Sequence, residues 1–229
     1  MAASPGKVLI TGGASGLGAA TVRAVADAGG TPLVLDRKPP VGGVTYVPVD
    51  LTDTADAERA VAELAGEAGG LDAVFTAAGV DVPGPLDRVS TADWERVVKV
   101  NLFGTAAVVR AALPHVERSR GRVVTVASTL GVKAVGDATA YCASKWGVVG
   151  FTRALAAETA GRIGVTMLVP GGMHTAFFDA RDEQYKPPPD AKLNDPDDVA
   201  RAVLFALSQP AGCEVRELVV AHSEEGSWP

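Results

Sequence analysis

The sequence predicts an α/β fold: a doubly wound parallel sheet of about seven strands with helices on both faces. Three observations lead there. Short runs rich in Val, Ile and Leu alternate with longer amphipathic stretches along the chain. Those runs are continuously apolar, as strands covered on both faces must be. Glycine is abundant (26 of 229 residues) while aromatics make up only 5%, which suits layers that approach closely. A chain of this length can bury about 70–75% of its unfolded surface as one domain. No repeat or linker divides it, so residues 1–229 read as a single domain.

Taken in order, Lys7–Ile10 is the first strand and Ser15–Ala28 the first helix. Pro32–Leu35 and Thr45–Val49 follow as strands, then a helix over Asp53–Glu67 that Asp53 can cap. Ala73–Phe75 is a strand, and Thr91–Arg118 one long helix with Thr91 as its cap. Arg122–Ala127 and Gly164–Val169 are strands on either side of a helix over Thr139–Ala160. Phe177–Asn194 breaks the pattern with Pro187-Pro188-Pro189, charges and Phe177, Phe178 and Tyr185. It reads as a long loop, and residues 176–195 as a substrate lid. Pro196–Ser208 is the last helix, with Pro196 in its first turn after Asp195, and Glu214–Val220 the last strand. Strand–helix alternation at this spacing calls for right-handed crossovers.

Composition excludes several function classes. The net charge is −6, from 27 acidic and 21 basic residues with no Lys/Arg run, so a nucleic-acid partner is not expected. No apolar stretch approaches the roughly 18 residues of a membrane span, and Met1–Ile10 is too short and polar for a secretory leader. Cys142 and Cys213 lie far apart and point to a reducing, cytoplasmic setting. His115, His174 and His222 are scattered, and no metal site is expected.

The first strand runs into Thr11-Gly12-Gly13-Ala14-Ser15-Gly16-Leu17-Gly18. A glycine-rich turn between strand and helix lets backbone approach a pyrophosphate, and the helix start offers it free N–H groups. Alone, such a turn is often an ordinary tight loop. Asp36 closes the second strand, where a carboxylate can accept from ribose hydroxyls and would repel a 2′-phosphate. This favours NAD over NADP, although Arg37 beside it can hold a phosphate. Tyr141 and Lys145 fall on one helix face, and Ser128 ends the strand Arg122–Ala127. A phenol needs a neighbouring cation to exchange protons near neutral pH.

Together these residues resemble the short-chain dehydrogenase/reductase family, over essentially the whole chain. The match comprises the T-G-x-x-x-G-x-G turn, Thr76-Ala77-Ala78-Gly79 in place of N-N-A-G, Asn101, Ser128, Tyr141-x-x-x-Lys145 and Pro170-Gly171-x-x-x-Thr175. The resemblance implies a Rossmann fold and assigns roles. Tyr141 would exchange the proton, Ser128 would bond the substrate oxygen, Lys145 would bond the nicotinamide ribose and lower the Tyr141 pKa, and Asn101 would hold a relay water. Gly12, Ser15, Gly16, Leu17 and Gly18 would hold the dinucleotide phosphates, with Asp36 and Arg37 at the adenosine ribose. Asp50 and Leu51 would frame adenine, Ala78 and Gly79 the ribose side, and Pro170, Gly171, Met173 and Thr175 the nicotinamide carboxamide. Replacement of the paired Asn by Thr76 and Ala77 removes amides that tie central strands together. The ending after Val220 lacks V-D-G-G and looks more like the branch acting on small hydroxy acids and other alcohols.

Other residues have plainer readings. His174 is expected to be a loop residue and Cys142, turned about 100° from Tyr141 on its helix, a packing residue. Trp94 and Trp146 are either core or anchors of a homodimer or homotetramer contact. The expected function is an NAD-dependent oxidoreductase interconverting a secondary alcohol and a ketone. The alternatives are an NADPH-dependent 3-oxoacyl-thioester reductase and a dinucleotide-sensing protein without turnover. The substrate pocket is expected from Val80–Val82, Thr129–Val135, Gly172–His174 and the lid, whose aromatics suit a partly apolar substrate.

Overall fold

The computed structural model describes residues 4–228. Seven parallel strands form one sheet in the order β3-β2-β1-β4-β5-β6-β7. They are β1 (Lys7–Thr11), β2 (Thr31–Asp36), β3 (Tyr46–Pro48), β4 (Ala73–Thr76), β5 (Arg122–Val126), β6 (Gly164–Pro170) and β7 (Glu217–Val220). The order reverses direction between β1 and β4, which stay paired to their last residues, Thr11 and Thr76, so the connections leaving their carboxyl ends part to opposite sides and open a crevice there.

The central strands feed both faces, which is why their runs are not alternating, whereas the edge strand β7 alternates, with Leu218 and Val220 packed inward and Val219 exposed. In β1, Leu9 enters the cluster under α2 (Thr54–Ala68) and α4 (Thr105–Ser119), while Val8 and Ile10 enter that under α1 (Gly16–Asp27) and α6 (Pro196–Leu207). All seven residues of β6 are buried. A third cluster lies under α5 (Thr139–Glu158), around Val148, Val149, Met167 and Val169.

Most element ends shift from the sequence expectation by a residue or two, and three differences bear on the local structure. The cap of α3 (Thr91–Val98) is Ser90, whose hydroxyl accepts from the Asp93 N–H at 3.1 Å, while Thr91 is already helical. The expected long helix contains a π-helical segment, Lys99–Gly104, between α3 and α4. The last strand begins at Glu217 rather than Glu214, where its pairing with β6 starts opposite Met167. One exclusion also needs correction. The helical run Thr91–Ser119 is 29 residues long and apolar enough to meet the length and composition of a membrane span. Its apolar side is spent on the sheet and on α2, where Val108, Val109, Ala112 and Val116 are buried.

The substituted Asn pair leaves a local cost. Thr76 Oγ1 is buried with no hydrogen-bond partner among the described residues. The loop beyond it is secured differently: Thr11 Oγ1 accepts from the Ala78 N–H at 3.1 Å, and Asn101 clamps Val80. An orphaned buried hydroxyl costs about 1–3 kcal/mol. Thr76→Val, near-isosteric, should therefore leave the melting temperature unchanged or raise it by about 2–6 °C. A drop of several degrees in a thermal melt would show that the hydroxyl is satisfied.

Candidate active site

The crevice widens into a cleft of about 800 Å³ that runs from Asp36 and Asp50 at one end to Tyr141 and Phe178 at the other. That volume suits a dinucleotide together with a small second ligand.

At the β1 end, the turn to α1 is built by close backbone approach. Gly12 has φ +71°, and a side chain there would meet the Ala78 backbone at 2.9 Å. A side chain on Gly18 would stand 2.1 Å from the Gly12 carbonyl oxygen. The α1 start is open: Ser15, unlike the caps of α2, α3 and α6, makes no side-chain cap bond, and the first turn carries no acid. Gly12, Ser15, Gly16, Leu17 and Gly18 all line the cleft. This is an anion cradle of the kind a pyrophosphate fits.

Asp36 is fixed in place. Its Oδ2 accepts from the Ala14 N–H at 2.9 Å and its Oδ1 from the Lys38 N–H at 3.0 Å. Arg37 leans away, with Nη1 3.8 Å from Asp50 Oδ2, an exposed pair of little energetic weight. The Thr52 backbone N–H holds the Asp50 carboxyl below the usual range, with Arg37 a lesser cause. Leu51, Ala78 and Gly79 line the middle of the cleft.

At the other end β5 and α5 meet. Ser128 follows β5, its Oγ accepting from the Leu130 N–H at 3.1 Å. Tyr141 and Lys145 project from one face of α5, with Lys145 Nζ 5.7 Å from the Tyr141 ring centroid. Burial pushes the phenol up to about 12, with the Ser128 hydroxyl pulling it back, Asp81 raising it and Arg181 lowering it. Burial likewise pushes the Lys145 ammonium down to about 8. Lys145 is 4% exposed and donates to the Val126 carbonyl at 2.8 Å. An ammonium has three protons to place. A ribose hydroxyl pair in the cleft would supply the missing acceptors, so the donor set fits a nucleotide cofactor.

Asn101 lies on the π segment, 1% exposed. Its Oδ1 accepts from the Val80 N–H (2.8 Å), and its Nδ2 donates to the Val80 carbonyl (2.9 Å) and to Ser144 Oγ (3.0 Å). The amide therefore braces the loop after β4 against α5. Pro170, Gly171, Met173 and Thr175 line the cleft beyond β6, and Thr175 Oγ1 accepts from the Phe177 N–H.

Residues 176–195 arch over this end. The arch is zipped at its base by Asn194, whose N–H donates to Gly172 and whose carbonyl accepts from His174. Phe177 packs on Tyr141 at 5.9 Å between centroids. His174 is exposed and does not line the main cleft, and Cys142 is buried in packing. Trp94 Nε1 donates to Thr139 Oγ1 at 3.2 Å, tying α3 to α5, while Trp146 is 50% exposed.

Two further groups were not visible in the sequence. Arg181 of the arch donates to Asp81 Oδ2 at 2.7 Å, with the two side chains only 15% and 5% exposed, and its guanidinium stacks on Phe177 and Phe178. Glu225 and Ser227, beyond β7, line the cleft beside Gly171 and Thr129. Both pairings span long sequence distances and carry no local signal.

Residues 6–186 match the profile of the short chain dehydrogenase family. The chain belongs to that family. It is accordingly an oxidoreductase of alcohol and carbonyl groups, on a fold that binds nicotinamide dinucleotides. The chain is 30% identical over 239 residues to an L-fucose dehydrogenase of Mus musculus, covering 95% of this chain and 88% of that one. It is 34% identical over 224 residues to the (2S)-[(R)-hydroxy(phenyl)methyl]succinyl-CoA dehydrogenase subunit BbsD of Thauera aromatica, covering 89% and 90%. Among solved structures, a 3-ketoacyl-(acyl-carrier-protein) reductase from Brucella melitensis complexed with NADH superposes with a TM-score of 0.84 at 27% identity, covering 96% and 98%.

Proposed function

We propose that this dehydrogenase interconverts a secondary alcohol and a ketone with NAD(H), using Tyr141 as the general acid and base. The observation that carries this reading is the convergence of Tyr141, Ser128 and Lys145 on one wall of the cleft that the Gly12–Gly18 turn opens. A bound nicotinamide would supply the hydride acceptor or donor. Ser128 orients the substrate oxygen, and Tyr141 takes or returns its proton. Lys145, anchored on Val126, holds the cofactor ribose and places its positive charge beside the phenol. Asn101, on the π segment, keeps the Val80 backbone and α5 in register for this. The arch with Phe177 excludes bulk water from Tyr141.

The choice of NAD rests on Asp36. Two backbone N–H groups hold its carboxylate, so it cannot turn away from a 2′-phosphate. Cofactor titration should show NADH bound at least tenfold more tightly than NADPH, about the effect of one unscreened like charge. Equal affinities or a preference for NADPH would overturn the assignment of Asp36 and favour the 3-oxoacyl-thioester reductase reading. The proposal includes a homodimer or homotetramer in the cytoplasm. Half-exposed Phe103 and Trp146, on the adjoining π segment and α5, support a self-contact there, and both cysteines are free thiols.

A further inference from the structure

The chain beyond β7 does not leave the molecule. It turns back at His222, whose carbonyl accepts from the Glu225 N–H, and lies along the catalytic end of the cleft. Glu225 Oε2 accepts from the Gly172 N–H at 3.0 Å. Its Oε1 accepts from the Ser227 N–H at 3.2 Å and from Ser227 Oγ at 2.7 Å. Ser227 Oγ is also 2.6 Å from Thr129 Oγ1. Ser227 has a single hydroxyl proton, and the carboxylate is the stronger acceptor. Thr129 therefore donates to Ser227, which donates to Glu225. Lys133 Nζ closes the arrangement on the Gly226 carbonyl at 3.0 Å. One carboxylate thus joins the loop after β6, through Gly172, to the residue next to Ser128.

The location of this charge matters. Three acids line the cleft among the described residues: Asp36, Asp50 and Glu225. Asp36 and Asp50 stand at the opposite end, and Glu225 alone faces the end that holds Tyr141, Lys145 and Arg181. Close packing fixes it there, because a side chain on Gly171 would meet Glu225 Oε2 at 2.6 Å. Burial pushes the Glu225 carboxyl up, but the bonds from Ser227 and Gly172 outweigh it, and the group is held below its ordinary value. It is ionised at neutral pH.

We propose that residues 222–227 form a wall of the active site, in which Glu225 positions the Gly171–Gly172 loop and favours the oxidised, cationic nicotinamide over the reduced, neutral one. This rests on the dinucleotide reading above. The two roles of Glu225 separate cleanly by substitution. Glu225→Gln keeps an oxygen that can accept from Gly172 but removes the charge. Glu225→Ala removes both.

The test is isothermal titration of NAD⁺ and of NADH into the wild type and the two variants, with a thermal melt to confirm folding. Glu225→Gln should weaken NAD⁺ about fivefold and change NADH by less than twofold, so the ratio of the two dissociation constants shifts. Glu225→Ala should show the same shift in ratio and weaken both ligands further. A ratio within twofold of wild type in Glu225→Gln would refute the charge role. Wild-type affinities for both ligands in Glu225→Ala would refute the positioning role. If the wild type binds neither dinucleotide, the cofactor assignment itself fails, an outcome distinct from an unchanged ratio with intact binding.

Discussion

Tyr141→Phe should lower turnover by about 10²–10⁴-fold, the range a positioned proton donor supplies, while leaving NADH affinity within about twofold. The substitution keeps the ring that packs on Phe177 and deletes one hydroxyl, so the wall of the cleft should stand. Its pH behaviour follows from the two buried groups. Without a ligand, burial holds the Tyr141 phenol at about 12 and Lys145 at about 8. Alcohol oxidation needs the phenolate, so the wild-type rate should rise with pH and level off well below 12, once a cationic nicotinamide and the Lys145 ammonium stabilise it. Lys145→Met should move that limb to higher pH. Stability responds with opposite signs at the two residues. Lys145, with its folded value near 8 against an ordinary 10.5, binds fewer protons when folded, so its burial penalty is relieved as pH rises from about 8 to 10.5. Tyr141, raised from 10.0 to about 12, contributes stability below pH 10 that is lost as pH rises toward 12. A turnover-competent Tyr141→Phe would remove the phenol from the mechanism.

The second large effect is expected at the Asp81–Arg181 pair. Removing one partner of a buried ion pair costs about 3–5 kcal/mol when the other must stay buried. Arg181 need not stay, because it sits on the arch over residues 176–195 and can swing into water. Asp81→Ala should therefore free the arch rather than unfold the sheet. Hydrogen exchange should rise across Ala176–Lys186, substrate KM should increase about tenfold or more, and the melting temperature should fall by less than about 5 °C. A fall of about 10 °C or more with the arch still protected would mean that Arg181 is locked in place. Arg181→Met behaves differently, since Asp81 lies on the loop after β4 and cannot leave. Burial already raises the Asp81 carboxyl, with Arg181 opposing it. Without that cation the raised group binds more protons when folded than unfolded, so the variant's deficit should be greatest near neutral pH and shrink as pH falls toward 4.

The sheet was legible because its central strands bury both faces, and that requirement writes itself into continuous apolar runs such as Val8–Ile10 and Ala73–Phe75. The Gly12–Gly18 turn and the Tyr141/Lys145 pair were legible because one local geometry dictates the residue types. The π segment at Lys99–Gly104 was not, since its residues keep a helical apolar pattern and the change is one of hydrogen-bond register. Nor was the way Asn101 spends its amide on Val80 and Ser144, or the closure of the catalytic end by Arg181, Asp81, Glu225 and Ser227. Those contacts join loops whose positions only the assembled sheet defines. Of the three aromatics expected to form an apolar substrate surface, Phe177 and Phe178 line the cleft and stack with Arg181, while Tyr185 turns its hydroxyl to Asp137 at 2.8 Å. The substrate end is thus more polar than the composition of the loop suggested.

The most direct test of the whole account is isotope transfer. NADH with both nicotinamide C4 hydrogens replaced by deuterium is incubated with the wild-type protein and a panel of small ketones, and the recovered alcohols are examined by mass spectrometry. The expected result is stoichiometric NADH consumption with deuterium at the carbinol carbon, at a rate about 10²–10⁴-fold lower in Tyr141→Phe. Tight NADH binding without transfer to any ketone would contradict it and identify the protein as a dinucleotide sensor on a dehydrogenase fold.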